Sequence, residues 1–284
     1  MLDRRPGAVP APGDPVPGTR DRRPARAQGG GGRAVELTVL GASGTWPNGG
    51  AATSGYLVRH EGFNLYVDAG TGTLANLQRH IGIADIHGIL ISHEHPDHFV
   101  DLYPTFYARH YGALGPPGLP LYAPVRFAGR AEGLLSEDSR RAMRQAFDWH
   151  ELEPGEGFEV GPFRVRTALM EHLGLPALGF RLEAGGATLA YTGDTGPTAA
   201  IETLAAGADV LLSEATWQDG EELLPFHLSA RQAGEHAARA GVGRLVLTHI
   251  WPTVDRERSR EQAADGFGGP VELAAEGMRL EVRG

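Results

Sequence analysis

The chain has 284 residues, a formal net charge of -9 and 41% hydrophobic residues, which suits one soluble globular core of ordinary size. It contains no cysteine, which excludes disulfides and thiolate metal sites, so any metal must be held by histidine and carboxylate. The acidic balance argues against nucleic acid as a bulk partner, and no run approaches the roughly 20 apolar residues of a membrane helix.

Residues 1–33 are dominated by Pro, Gly, Ala and Arg and hold almost no large apolar side chains. They are expected to form a disordered tail, with a single folded domain over residues 34–284. Seven arginines (4, 5, 20, 22, 23, 26 and 33) against Asp3, Asp14 and Asp21 give the tail +4 and leave -13 on the rest. The start, MLDRRPGAVPAPG, lacks the apolar h-region of a signal peptide, so a cytoplasmic location is expected.

From Val35 the pattern changes to short apolar runs of strand length: VELTVLG, SGYLVRH, FNLYVDAG and HGILISHEH. TGTLANLQRHIG and the stretch after Pro96, DHFVDLYPTFYARHYG, have helical spacing, with Asp97 and His98 in the first turn of the second. Further strands are expected at PLYAPV, FEVGPFRVRTALM, LGFRLEA, ATLAYTGD, DVLLSEAT and RLVLTHI. Helices are expected at SEDSRRAMRQAF, PTAAIETLAAG and SARQAGEHAARAG. Strands and a helix, a variable middle, then strands and helices again fit an α/β fold of two sheets packed face to face with helices outside.

The segment SHEHPDHFVDL follows the strand-like GILI. Residues two apart in an extended segment face the same way, so His93 and His95 can address one ion while Asp97 and His98 address a second. Imidazole and carboxylate suit zinc, manganese or iron, and so many titratable groups would be costly to pack together without a cation. Three more candidates follow apolar runs: His172 in MEHLG, Asp194 in YTGDTG and His249 in LTHIWP. Asp194, on a short glycine loop, is the natural bridging carboxylate.

This ordered set resembles the metallo-β-lactamase superfamily, from about Val35 to Ile250. The resemblance implies an αββα sandwich with two mixed β-sheets. It also implies two divalent ions, zinc with manganese or iron as alternatives. One would take His93, His95 and His172 and the other Asp97, His98 and His249, with Asp194 shared and Asp68 of YVDAGTG supporting the metal loop.

Two further motifs, LLSEATW and PFHLSARQAGEHA, resemble the ribonuclease Z-like branch, which acts on phosphodiesters. There the glutamate orients a histidine that stabilises or protonates the leaving oxygen, a role that falls on Glu214 and His227 here. The absence of cysteine disfavours a β-lactam substrate. True ribonuclease Z usually inserts a tRNA-gripping arm between the positions of His172 and Asp194. The 22 positions here (194 minus 172) leave room only for a hairpin.

GASGTWPNGG, TSGYLV, QRHIG, the HLS segment and VLTHI are instead similar to compact actinobacterial-type members of the branch, some of which hydrolyse cyclic nucleotides such as cAMP. The expectation is a cyclic-nucleotide phosphodiesterase that uses a metal-bridged hydroxide, with Asp97 helping to orient the water. A small phosphodiester is the expected partner, and a homodimer is what the resemblance implies. A tRNA 3′ endonuclease and a thioester or lactone hydrolase are the alternatives. His60, His80, His87, His110, His150 and His236 lie off these motifs and are expected to be solvated or structural.

Overall fold

The structure, a computed structural model, describes residues 34–220 and 224–284; the tail expected over residues 1–33 lies outside them. The first half builds a mixed sheet from β1 (Val35–Gly41), β2 (Gly55–His60), β3 (Phe63–Ala69), β4 (Gly88–Leu90), β5 (Leu119–Pro124) and β6 (Phe147–Leu152). The second builds another from β7 (Gly157–Val160), β8 (Phe163–Met170), β9 (Ala177–Ala184), β10 (Ala187–Tyr191), β11 (Val210–Glu214), β12 (Arg244–Thr248) and β13 (Val271–Leu273). The last strand, β14 (Arg279–Val282), returns to pair antiparallel with β1. Among the described residues each sheet therefore has seven strands.

Both faces of these sheets are covered, which is why the strands read as unbroken apolar runs rather than alternating ones. Leu65 and Val67 point between the sheets, where they meet Phe180, Leu189 and Leu212. Tyr66, between them in sequence, joins Leu57, Ile89 and Leu121 under the helices α3 (Leu102–His110) and α5 (Glu137–Ala146). In the second sheet Leu211 and Leu245 pack beneath α6 (Ala199–Ala205), α7 (Ala230–Ala240) and α8 (Arg256–Phe267), through residues such as Ile201, Ala233 and Ala263. Each fully buried aliphatic or aromatic side chain contributes about 1.5–3 kcal/mol to this four-layer stack.

Three local departures from the sequence expectation have physical causes. The helix expected after Pro96 is two helices, α2 (Pro96–Phe99) and α3, because the Asp101 N–H donates to Ala69 O at 2.8 Å instead of continuing the first. The Asp101 carboxylate meanwhile accepts from Leu74 N at 2.8 Å and holds the start of α1 (Thr73–Leu77). The run FEVGPFRVRTALM is a hairpin, since Gly161 takes a left-handed φ of 56° and Pro162 follows it. The helix α8, the short α4 (Phe127–Glu132) and β6, β13 and β14 are not among the expected elements: α8 and α4 carry few large apolar residues, and the strands are short, although β14 alternates exposed and buried positions.

Strands β3 to β6 run parallel, as do β10 to β13, so their carboxyl ends gather at one edge of the sandwich. Loops at such ends are where α/β sheets place ligands. No helix among the described residues is long and apolar enough to cross a membrane.

Candidate metal centre

Every sequence-predicted ligand arrives at that edge. His93 and His95 follow β4, His172 follows β8, Asp194 follows β10 and His249 follows β12, while Asp97 and His98 lie in α2. They form two groups that share Asp194: His93, His95, His172 and Asp194, and Asp97, His98, Asp194 and His249. In each group the candidate ligand atoms lie within 4.8 Å of one another. Gly70 permits this closeness, because a Cβ there would stand 1.9 Å from Asp97 O.

The imidazoles are fixed from behind. His93 Nδ1 lies 3.0 Å from Ser92 Oγ, His98 Nδ1 2.8 Å from Asp68 Oδ2, His172 Nδ1 2.8 Å from Phe226 O, and His249 Nδ1 2.9 Å from Thr216 Oγ1. This leaves four Nε2 atoms for the cluster, the arrangement that orients metal-binding histidines. His95 is the exception: its Nδ1 faces His93 Nε2 at 3.1 Å and His172 Nε2 at 2.9 Å.

The donor set fits divalent cations on two observations. With Nδ1 of His93 and His172 facing oxygens, both Nε2 atoms present lone pairs toward His95 Nδ1, whose single N–H can point squarely at only one of them. His98 Nε2 and Asp194 Oδ1 are buried, 3.2 Å apart, and neither makes a hydrogen bond. Burial lowers His93, His95 and His172 below the usual histidine range and keeps them as neutral donors. Burial works against the charge of Asp194, but His249, His98 and His93 outweigh it and hold the carboxyl well below its ordinary value. Burial likewise opposes the charge of His98, yet Asp194, Asp97 and Asp68 raise it well above the usual range, a local negative potential that favours a cation.

Beside this cluster lies a second arrangement. Glu214, fully buried at the end of β11, has Oε1 2.8 Å from His227 Nδ1 and accepts Thr195 N at 2.7 Å. Its other oxygen accepts from Thr216 Oγ1 at 2.9 Å, the hydroxyl that also contacts His249 Nδ1. The His227 ring lies 5.4 Å from that of His249 and 5.0 Å from that of His172. Glu214, His227 and His249 also fall within 4.8 Å of one another. With both Glu214 oxygens engaged and His227 Nδ1 taken, these residues form a hydrogen-bonded hub rather than an open ligand set.

The expected site is thus assembled in one place, including Asp68, and no predicted member is stranded. Several supporting residues escaped the sequence reading. Tyr191 donates to Asp68 Oδ2 at 2.7 Å, and Ser92 donates to the same carboxylate through N at 2.7 Å and Oγ at 2.8 Å. Both lie inside motifs singled out for a neighbouring ligand, and that adjacency was the one signal available. Among the remaining histidines, His60 Nδ1 contacts Ala34 O at 3.1 Å and His236 Nδ1 contacts Glu202 at 3.1 Å.

The sandwich and its histidine–aspartate clusters together define a metal-dependent hydrolase. A family profile described as "Beta-lactamase superfamily domain" matches residues 63–250, and the chain belongs to that family, whose fold is the metallo-β-lactamase sandwich. An uncharacterized protein of Mycobacterium tuberculosis is 37% identical over 255 residues, covering 88% of this chain and 93% of that one. A ribonuclease Z of Mycobacterium marinum is 30% identical, covering 87% of this chain and 99% of that one. Among solved structures, the metallo-beta-lactamase fold protein YhfI from Bacillus subtilis aligns with a TM-score of 0.80 at 26% identity, covering 87% of this chain and 99% of that one.

Proposed function

We propose that the chain is a dinuclear phosphodiesterase, with a cyclic nucleotide such as cAMP as its substrate. His93, His95 and His172 hold one ion, Asp97, His98 and His249 the other, and Asp194 both. Zinc is the proposed metal, with manganese or iron(II) sharing the same ligand preferences. Bound ions of this kind supply an acidified water and neutralise charge on phosphoryl oxygens.

The single observation that carries the reading is the Glu214–His227 pair against the cluster. Hydrolysis of a phosphodiester expels an alkoxide, which needs a proton as its bond to phosphorus breaks. Glu214 holds His227 through Nδ1 and leaves Nε2 to hand its proton to the departing ribose oxygen. Burial alone would strip His227 of that proton, but the charge and hydrogen bond of Glu214 raise it to about 9. Asp97, whose Oδ2 lies 3.2 Å from His249 Nε2, is the residue assigned here to orient the attacking water.

A tRNA 3′ endonuclease is the second reading, favoured by the similarity to ribonuclease Z. Against it, the chain between His172 and Asp194 folds into the plain hairpin β9–β10, joined through Gly185 and Gly186. A homodimer in the cytoplasm completes the proposal, and sedimentation would check the oligomer.

The test is turnover of 3′,5′-cAMP, bis-p-nitrophenyl phosphate, a precursor tRNA and a coloured thioester by protein reconstituted with zinc or with manganese. Rapid cAMP hydrolysis supports the reading. Clean tRNA 3′ cleavage without it selects the second, and a dominant thioester rate discards both.

A further inference from the structure

A cleft of about 450 Å³ abuts the cluster at His95, within the size range of about 300–1,000 Å³ typical of small-molecule sites. Phe99, Tyr103, Leu134, Leu173 and Leu175 line it. Two of these are conspicuous, Leu134 at 82% exposed and Leu173 at 57%. Leu173 also adopts a left-handed φ of 53°, a conformation that bulky residues rarely accept. The Leu175 N–H donates to His172 O at 2.9 Å and closes the turn that sets both leucines immediately beyond a candidate ligand. Local strain that holds an apolar side chain in water beside a polar centre marks a place where something apolar lands.

The rim is charge-neutral. Arg130 Nη2 donates to Glu94 Oε1 at 2.8 Å, and Glu94 stands between His93 and His95 in sequence. Unpaired, that carboxylate would repel a phosphodiester anion; paired, it does not. Arg130 is the one cationic side chain among the described lining residues, and it is already engaged, so a second phosphate has no partner here. Apolar walls under a neutral rim suit an uncharged planar group.

We propose that this cleft seats the nucleobase of the substrate, with Leu134 and Leu173 as its specificity-determining residues; the inference rests on the phosphodiesterase reading above. A phosphate bound at the cluster has this cleft within reach of one substituent, and burying the base against two exposed leucines removes apolar surface from water on both sides.

The test is calorimetric titration of metal-reconstituted protein with 5′-AMP and with inorganic phosphate, in wild type and in a Leu134→Asp, Leu173→Asp double variant. Leu134→Ser, at an exposed position, serves if the double variant does not fold. Wild type is expected to bind AMP at least tenfold more tightly than phosphate, and the variants to lose most of that difference. The ratio of kcat/KM for cAMP over that for methyl p-nitrophenyl phosphate should fall at least tenfold in the double variant, through KM.

Equal affinities in wild type, or a preference that survives the substitutions, would overturn the proposal. So would a variant that only dissociates an oligomer, since the leucines would then belong to a second copy of the chain. AMP preference without hydrolysis of any phosphodiester keeps the cleft and sinks the phosphodiesterase reading. Phosphodiester hydrolysis without AMP preference does the reverse.

Discussion

One oxygen of Glu214 serves both His227 Nδ1, at 2.8 Å, and the backbone N–H of Thr195, at 2.7 Å. Thr195 directly follows Asp194, so a single buried carboxylate ties the proposed proton donor to the loop that carries the proposed shared metal ligand. The two halves of the chemistry are mechanically joined. His227→Ala should therefore lower kcat for cAMP by about 10²–10⁴-fold, the usual size of general acid catalysis. Bis-p-nitrophenyl phosphate, whose leaving group departs without a proton, should lose less than about tenfold. Equal losses on both substrates would mean that His227 binds or shapes rather than protonates.

The pH profile should report the same pair. Burial is the largest influence on His227 and favours the neutral ring, but the charge and hydrogen bond of Glu214, reinforced by Asp194, carry it from 6.5 to about 9. Because the shift is upward, the fold favours the imidazolium. That contribution to stability is complete below pH 6.5 and lost as pH rises through about 9. The kcat profile for cAMP is expected to fall on its alkaline side near pH 9, and in Glu214→Gln that limb should move down toward 6.5. An unmoved limb would separate His227 from the proton transfer.

Metal removal should cost stability as well as activity. The cluster buries His93, His98, His172, Asp194 and His249 almost completely. A ligand at 100 times its Kd adds about 2.7 kcal/mol to the folded state. For a domain of this size that corresponds to a fall in Tm of about 5–10 °C on chelation. Native mass spectrometry should count two ions per chain, and Asp194→Ala should reduce the count at both positions. Chelated protein that melts at the same temperature as loaded protein would break this link between metal and fold.

How much of this was legible beforehand follows from the range of each interaction. His93 to His98 are neighbours in sequence, so period-two alternation and a helix start were enough to divide them between the two candidate ligand groups. His172, Asp194 and His249 stood out because each ends an apolar strand run. Tyr191 and Thr216 act across long gaps: Tyr191 reaches Asp68 across 123 positions and Thr216 reaches His249 across 33. No local pattern encodes such a contact; sheet order does. The same holds for the cleft, where Leu173 and Leu134 come from opposite halves of the chain. In the variable middle the strand PLYAPV and the helix SEDSRRAMRQAF were legible, whereas Arg130 and Leu134 come from the short α4 and the turn after it, which lack a clear apolar pattern.

Asp68 sits at the centre of a contact between the two sheets and gives a prediction with an internal control. It is fully buried, has a left-handed φ of 52°, and its carboxylate meets Ser92, His98 Nδ1 and Tyr191. The contact with Tyr191 joins β3 of one sheet to β10 of the other. Asp68→Asn keeps the size and tolerates the backbone, but it removes the charge that orients His98, a loss of about 3–5 kcal/mol by analogy with broken buried ion pairs. Tyr191→Phe removes one hydrogen bond to a charged group, worth about 1.5–3 kcal/mol, and leaves His98 in place. Both variants should melt earlier, the first more than the second. Only Asp68→Asn should bind fewer than two ions at stoichiometric zinc. Full metal occupancy in Asp68→Asn would show that His98 finds its orientation without the carboxylate behind it.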